Sequence, residues 1–457
     1  ETIPFDKITL ADYEEAMLEG IRREDEQIEK TINDPEEPTF ENTLIREDEV
    51  KGRKHYYDLL SRVESAFFNM LSAETNDEMD ALAQKMNPIL TKHANDVSLN
   101  PKLFERIKAV YNKHRELTPE ENKLLEESYD GFVRSGALLN GNDKEKLRKL
   151  TEEASLLALK FSQNVLKENK AYKLHITNEE KLEGLPDSIR EAAATTAKEQ
   201  GVDGWIFTLD APSYGPFLMY STQRDLRKEL YMAHNTLCIK ANSENNIEVC
   251  KRLVNLRREM AQLLGYDTYA DFVMKYRMAS NVKNVYTLLD KLIDAYKPTA
   301  IEEYNELCSI AKKQEGNNFK LMPWDTAYYA HQLKLAKYNL DPEILRPYFE
   351  LNNVIKGVFG LATRLYGITF KENKDIPVYH PDVLVYEIFD NDGKSMALYY
   401  VDFFSRDSKR GGAWMNSFVK QSKLFVQKPV IVNVLNNPKP ADGKPALVSF
   451  DEASTMF

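Results

Sequence analysis

Zinc hydrolysis usually needs two imidazoles one helical turn apart and aimed at one ion, with a glutamate between them to take the proton from bound water. The seven histidines are His55, His93, His114, His175, His234, His331 and His380, and none opens an H-E-x-x-H. No two lie within four residues of each other, so they read as surface or hydrogen-bonded core residues rather than a ligand set. Nucleophilic chemistry has one candidate. Asp210-Ala211-Pro212-Ser213-Tyr214-Gly215 follows a predicted strand and contains S-x-G, part of the serine-hydrolase elbow. Ala211 stands where the first glycine belongs, and the repeated βα units of that fold are missing, so Ser213 reads as part of a turn that opens a helix. Asp390-Asn391-Asp392-Gly393 has the look of a calcium loop, but its glycine comes two places early and the closing glutamate is absent. A hairpin turn accounts for it. There is no G-x-x-x-x-G-K-S/T phosphate loop.

The remaining candidate is a polar loop, Arg406-Asp407-Ser408-Lys409-Arg410-Gly411-Gly412-Ala413-Trp414, which runs into a predicted strand through two glycines. Glycines let a second backbone approach, and an exposed strand edge can take an extended peptide through main-chain bonds. On spacing alone a bulge or tight turn is the simpler account.

These residues need elements to carry them. From Leu10 to about Lys167 apolar residues recur at helical period; Leu147, Leu150, Ala154, Leu157, Ala158, Phe161 and Val165 fall on one stripe. Breaks are expected at Asn33-Asp34-Pro35 with Pro38, Asn87-Pro88, Asn100-Pro101, Thr118-Pro119 and Asn140 to Asp143. Thr118-Pro119-Glu120-Glu121 also reads as a helix start. A short β interruption is expected at Ala171 to Thr177 and Trp205 to Leu209, with helices resuming near Thr222 and running to about Gly367. The stripe Val282, Val285, Leu289, Leu292, Ile293, Tyr296 belongs to this second helical set. After Pro377 the period becomes strand-like, with strands at Val383 to Phe389 and Met396 to Phe404. They are joined by Asn391-Asp392-Gly393, read as a hairpin turn whose central residues tolerate positive φ. Further strands are expected at Ala413 to Val419 and Pro429 to Leu435. Ser449 and Glu452 form a capping-box pattern, so a helix should begin at about Phe450, and the sequence stops at Phe457 inside it.

At 457 residues and 42% hydrophobic content the chain can bury large cores. Asp and Glu outnumber Lys and Arg by 72 to 61, for a net charge of -11, which argues against nucleic acid as a partner. No apolar run approaches the roughly 20 residues needed to cross a bilayer, and a start at Glu1 leaves export open. Cys238, Cys250 and Cys308 offer neither a disulfide framework nor a C-x-x-C; they read as buried or half-buried thiols in a reducing compartment.

Several stretches together resemble the thimet-oligopeptidase-like family of zinc metallopeptidases, and within it the bacterial peptidyl-dipeptidases. They are Pro4 to Ile8, Asn33 to Pro35, Pro38 to Thr43, Leu263 to Tyr266, Pro323-Trp324-Asp325 with Tyr328-Tyr329, Pro347 to Leu351, and Val378 to Val383. The most specific is Asp402 to Lys409 leading into Gly411 to Met415. The resemblance implies a mainly α fold: a multi-helix ellipsoid with a deep channel and a small β-sheet near residues 380–435, its zincin-like catalytic domain truncated before the zinc helix is complete. Residues 1–222 would be an N-terminal helical region with a short β interruption, and residues 223–457 the first part of the catalytic domain. In the family, Val448 to Phe457 would lead directly into His-Glu-Phe-Gly-His, so the ligands of its single zinc ion and its general base are expected after Phe457 and catalytic and metal residues within this chain are expected to be none. Gly411, Gly412, Ala413, Trp414 and Met415 would lie at the channel and bind substrate. The implied activity is release of dipeptides from the C-terminus of short peptides by a monomer, cytoplasmic or, if a leader was removed, periplasmic, with neither nucleic acid nor membrane as partner. The alternative is a non-catalytic helical peptide-binding or scaffold fragment.

Overall fold

A computed structural model describes residues 2–45, 58–113, 117–423, 426–440 and 443–457. His55 and His114 therefore lie outside the described residues. The chain is mainly helical with small sheets, and it divides into two compact units. One comprises residues 1–163, 246–282 and 417–430, the other residues 164–245, 283–416 and 431–457.

The first unit is built from α1 (Leu10–Ile32), α2 (Leu59–Ala73), α3 (Asp77–Ser98), α4 (Pro101–Asn112), α5 (Pro119–Arg134) and most of α6 (Gly141–Ala171), with α10 and α11 described below. Thr9 and Asp12 form a capping box on α1, and Thr118 and Glu121 form one on α5 behind Pro119. Asn100 caps α4 ahead of Pro101. Gly20 lets α1 lie directly on α2: a Cβ there would sit 2.8 Å from the Leu60 backbone. Tyr13 and Phe67 then meet edge to face at 5.3 Å between centroids. The α6 stripe is deepest at Leu147 and Leu150 and reaches the surface at Phe161. The break expected at Asn87-Pro88 is not there, because α3 runs through Pro88. Proline removes one helical hydrogen bond. Met86, Leu90 and His93 are nevertheless buried on one face of α3, and Ser155 Oγ donates to Asn87 Oδ1 at 2.9 Å, so packing holds both halves in register.

In the second unit β1 (Leu174–Ile176) pairs antiparallel with β2 (Trp205–Phe207), Leu174 opposite Phe207. Helix returns sooner than the pattern indicated: α7 (Asp187–Glu199) lies between these strands and α8 (Ala211–Tyr220) follows at once, ahead of α9 (Arg224–Asn235). The inward face of α7 is made of Ile189, Ala193 and Ala197, so alanines carry a burial that a stripe of larger residues would have announced. Leu182, Phe207, Phe217 and Leu230 are fully buried at the centre of this layer. Helices α10 (Ile247–Leu263) and α11 (Tyr269–Met274) belong to the first unit. Cys250 lies off the buried stripe of α10, Val249, Leu253 and Leu256, and is exposed, against the expectation of a buried or half-buried thiol.

The second unit resumes with α12 (Val282–Glu315), α13 (Thr326–Tyr338) and α14 (Leu351–Tyr366). The predicted stripe does fall on α12, but Leu289, Leu292, Ile293 and Tyr296 are 40–67% exposed. Strands β3 (Thr369–Glu372), β4 (Val383–Phe389), β5 (Ser395–Phe404), β6 (Trp414–Val419) and β7 (Val430–Asn437) form a sheet of order β3-β4-β5-β7-β6. The β4-β5 hairpin closes differently from the expected turn. Of its residues only Gly393 has positive φ, at +74°, while Asp390 Oδ1 accepts from the Asp392 and Lys394 amides at 3.0 and 2.8 Å. One residue in the left-handed region with a register shift at Ile388/Phe389 satisfies the strand twist. Val354 and Ile355 of α14 cover Val401, Phe403 and Leu435 of the sheet, and α15 (Phe450–Met456) adds Ala453 to the same core.

Candidate functional site

Near the end of strand β5 lies Asp402, which is wholly buried. Its carboxylate accepts Arg406 Nη1 and Nη2 at 2.8 and 2.7 Å, Lys409 Nζ at 2.8 Å and the Tyr379 hydroxyl at 2.9 Å. Burial pushes the Asp402 carboxyl up, but the Arg406 hydrogen bond and the Lys409 and Arg406 charges outweigh it and hold the group below the ordinary carboxylate range. Burial and then the Asp402 charge raise the Tyr379 hydroxyl, which keeps it a donor. Lys409 Nζ also donates to the backbone carbonyls of Asp402 and Phe404, at 3.2 and 2.7 Å.

The loop leaving this cluster is pinned from the other side. Asn436 Nδ2 on β7 donates to the carbonyls of Arg410 and Gly412 at 3.0 and 2.7 Å. The Arg410 guanidinium stands 4.7 Å over the Trp414 ring. Gly412 takes φ +101°, and a Cβ on either Gly411 or Gly412 would meet nothing within 4 Å. The loop therefore delivers its backbone to β6, a terminal strand of the sheet, with open space over the glycines. Trp414 is half-buried and Met415 is 65% exposed. Farther along, Ser65 Oγ donates to the Ser417 carbonyl at 2.7 Å, so β6 is already engaged by α2 at that point. Beside the strand lies a groove of about 300 Å³, lined by Val358, Phe359, Phe403, Trp414, Leu435 and Met456 among others.

Sequence reasoning singled out Gly411 to Met415 but assigned no role to Asp402, Lys409, Tyr379 or Asn436. Lys409 sits in a string of polar residues and reads as solvated; only its buried partner on β5 reveals otherwise. Ser213 lies in the first turn of α8, where its Oγ accepts the Thr208 amide at 3.0 Å. That is the turn reading.

The described histidines are dispersed. His93 Nε2 and Nδ1 face Glu24 and Asp25 at 3.0 and 3.3 Å, and His175 Nε2 contacts the Asp203 carbonyl at 2.7 Å. His234 stacks on Tyr214, His331 meets Tyr220 edge-on, and His380 Nδ1 accepts the Asp382 amide at 3.1 Å. Among the described residues no group of three or more His, Cys, Asp or Glu is placed to hold a metal ion, so the zinc implied by the resemblance finds no ligand set in them.

Residues 217–457 match the family model for Peptidase family M3. The chain belongs to that family. Over 457 residues it is 38% identical to the dipeptidyl carboxypeptidase of Escherichia coli (strain K12), a match covering 99% of this chain and 66% of that protein. Its counterpart in Salmonella typhimurium is equally similar, at 38%. The oligopeptidase A of Escherichia coli (strain K12) is 31% identical over 466 residues, covering 100% of this chain and 68% of the relative. The chain thus spans about two thirds of the length of the curated relatives it matches.

Proposed function

We propose that the protein is a zinc peptidyl-dipeptidase acting on short peptides, and that residues 1–457 supply a helical wall and the strand that reads the peptide main chain. In this reading Gly411, Gly412, Ala413, Trp414 and Met415 bind substrate. Residues 1–457 contain no H-E-x-x-H, and in this reading they carry out no hydrolysis by themselves. Family membership and the name of the dipeptidyl carboxypeptidase relatives support the reaction class. The observation that carries the binding site is the terminal position of β6 together with open space over Gly411 and Gly412. A terminal strand can pair with an extended peptide through its main chain whatever the peptide's side chains, and a groove at its flank takes alternate side chains.

The test uses a chain of verified 457-residue mass. It should bind an unstructured peptide equally with and without chelator and should release no dipeptide when zinc is supplied. Zinc-dependent dipeptide release by that chain would sink the division of labour. Peptide affinity unchanged by Gly411→Val would sink the binding edge.

A further inference from the structure

Lys409 contributes nothing to the reading above, yet it is among the most completely buried side chains of the second unit. Burying an ammonium carries a desolvation cost that a neutral loop anchor would not incur. What the cation does here is converge three acceptors from the end of β5: Asp402 Oδ1, the Asp402 carbonyl and the Phe404 carbonyl. An apolar side chain could fill the same space but could not fix the distance between the end of β5 and the start of the glycine pair. Three residues after Lys409, Asn436 takes the Gly412 carbonyl from the β7 side. The backbone at Gly411-Gly412 is therefore held between two anchors on neighbouring elements, although its own side chains can contribute none.

We propose that Lys409, with Asp402 as its counter-charge and Asn436 opposite, is a positioning residue that presets the Gly411 to Met415 backbone to receive a peptide main chain. This rests on reading that edge as the peptide-binding strand. Preorganisation matters most for such an edge, because main-chain pairing yields little per bond and any ordering of the loop on binding is subtracted from the affinity.

The experiment compares the full chain with its Lys409→Met, Asn436→Ala and Tyr379→Phe variants. A fluorescent, unstructured nonapeptide with a free C-terminus reports affinity, and amide hydrogen exchange reports order at residues 411–416. Lys409→Met should weaken the peptide by about tenfold and speed exchange at 413–415 beyond any change elsewhere in the sheet. Asn436→Ala, which removes a less buried anchor, should weaken binding by about threefold to tenfold and keeps the test decisive if Lys409→Met does not fold. Tyr379→Phe removes one bond to Asp402 but leaves every Lys409 contact in place, and should lower stability while weakening the peptide by less than Lys409→Met does. Wild-type affinity and exchange in Lys409→Met, or in Asn436→Ala where only that variant folds, would overturn the proposal alone. No peptide binding by the wild-type chain would overturn the edge reading and the proposal with it.

Discussion

Lys409 Nζ lies 2.8 Å from Asp402 Oδ1, and neither side chain is exposed to solvent. Arg406 shares the same carboxylate, so two cations converge on one buried anion. Removing the anion strands a buried ammonium, whereas removing the ammonium leaves Asp402 paired with Arg406. Asp402→Ala should therefore cost about 3–5 kcal/mol. Lys409→Met should cost less, about 1–2 kcal/mol. Urea titration of both variants measures the difference, and equal losses would mean the pair is not the organising contact. The pH dependence follows from the depressed Asp402 pKa. Its contribution is complete above the unfolded carboxylate value of about 3.9 and is lost only as pH falls through the lower folded value.

A second titration runs the other way. His93 on α3 faces Glu24 and Asp25 on α1, with Asp96 on its own helix and Glu64 on α2 nearby. The Glu24 hydrogen bond raises its pKa, and the Glu24, Asp25 and Asp96 charges add to this against the opposing effect of burial. A raised folded pKa stabilises fully below the unfolded value of about 6.5 and loses that stabilisation as pH rises through the folded value. Stability of the chain should fall across that window, and His93→Gln should flatten the profile. Urea midpoints measured at half-unit pH steps check it; an unchanged slope in His93→Gln would assign the dependence to another group.

Gly411 and Gly412 look interchangeable in sequence and are not. Neither Cβ would meet an atom within 4 Å, but only Gly412 has positive φ, at +101°. Gly412→Ala is therefore strained by backbone conformation and should destabilise by about 1 kcal/mol or more, while Gly411→Ala should stay within about 0.5 kcal/mol of wild type. Thermal melts of the two variants decide this. Equal and large losses would show that Gly411 also serves internal packing.

The elements that carry strong local chemistry were legible. Thr118 announces a helix start and Ser449 a capping box, and the strand pattern at Val383 to Phe389 and around Met396 to Phe404 marks the central hairpin. Local rules failed where tertiary packing decides. Pro88 reads as a break, yet the buried face of α3 carries the helix through it. The face of α7 is alanine and so gives too weak a hydrophobic signal to stand out. In the site, glycines before a strand pointed to Gly411-Gly412, but the partnership of Lys409 with Asp402 spans two elements and no spacing rule encodes it. Its only trace is the stretch from Asp402 to Lys409, which carried the family resemblance without disclosing a role.

Helix α15 gives the most local test of that legibility. Ser449 accepts the Glu452 amide at 3.1 Å, and Glu452 accepts the Ser449 amide at 2.6 Å, closing the box in both directions. The helix has seven residues, with Ala453 buried and Met456 packed against the sheet core, and a helix this short depends on its cap as well as on those contacts. Ser449→Ala removes one half of the box and Glu452→Gln keeps both bonds while discarding the charge that favours a helix N-terminus. The first should cost about 1 kcal/mol, expressed as faster amide exchange at 450–456 more than as a shift in the global unfolding midpoint. Glu452→Gln should cost about 0.5 kcal/mol. Exchange at 450–456 unchanged by Ser449→Ala would mean that contacts of Phe450 with Phe349, which meet edge to face at 5.9 Å, hold the helix instead.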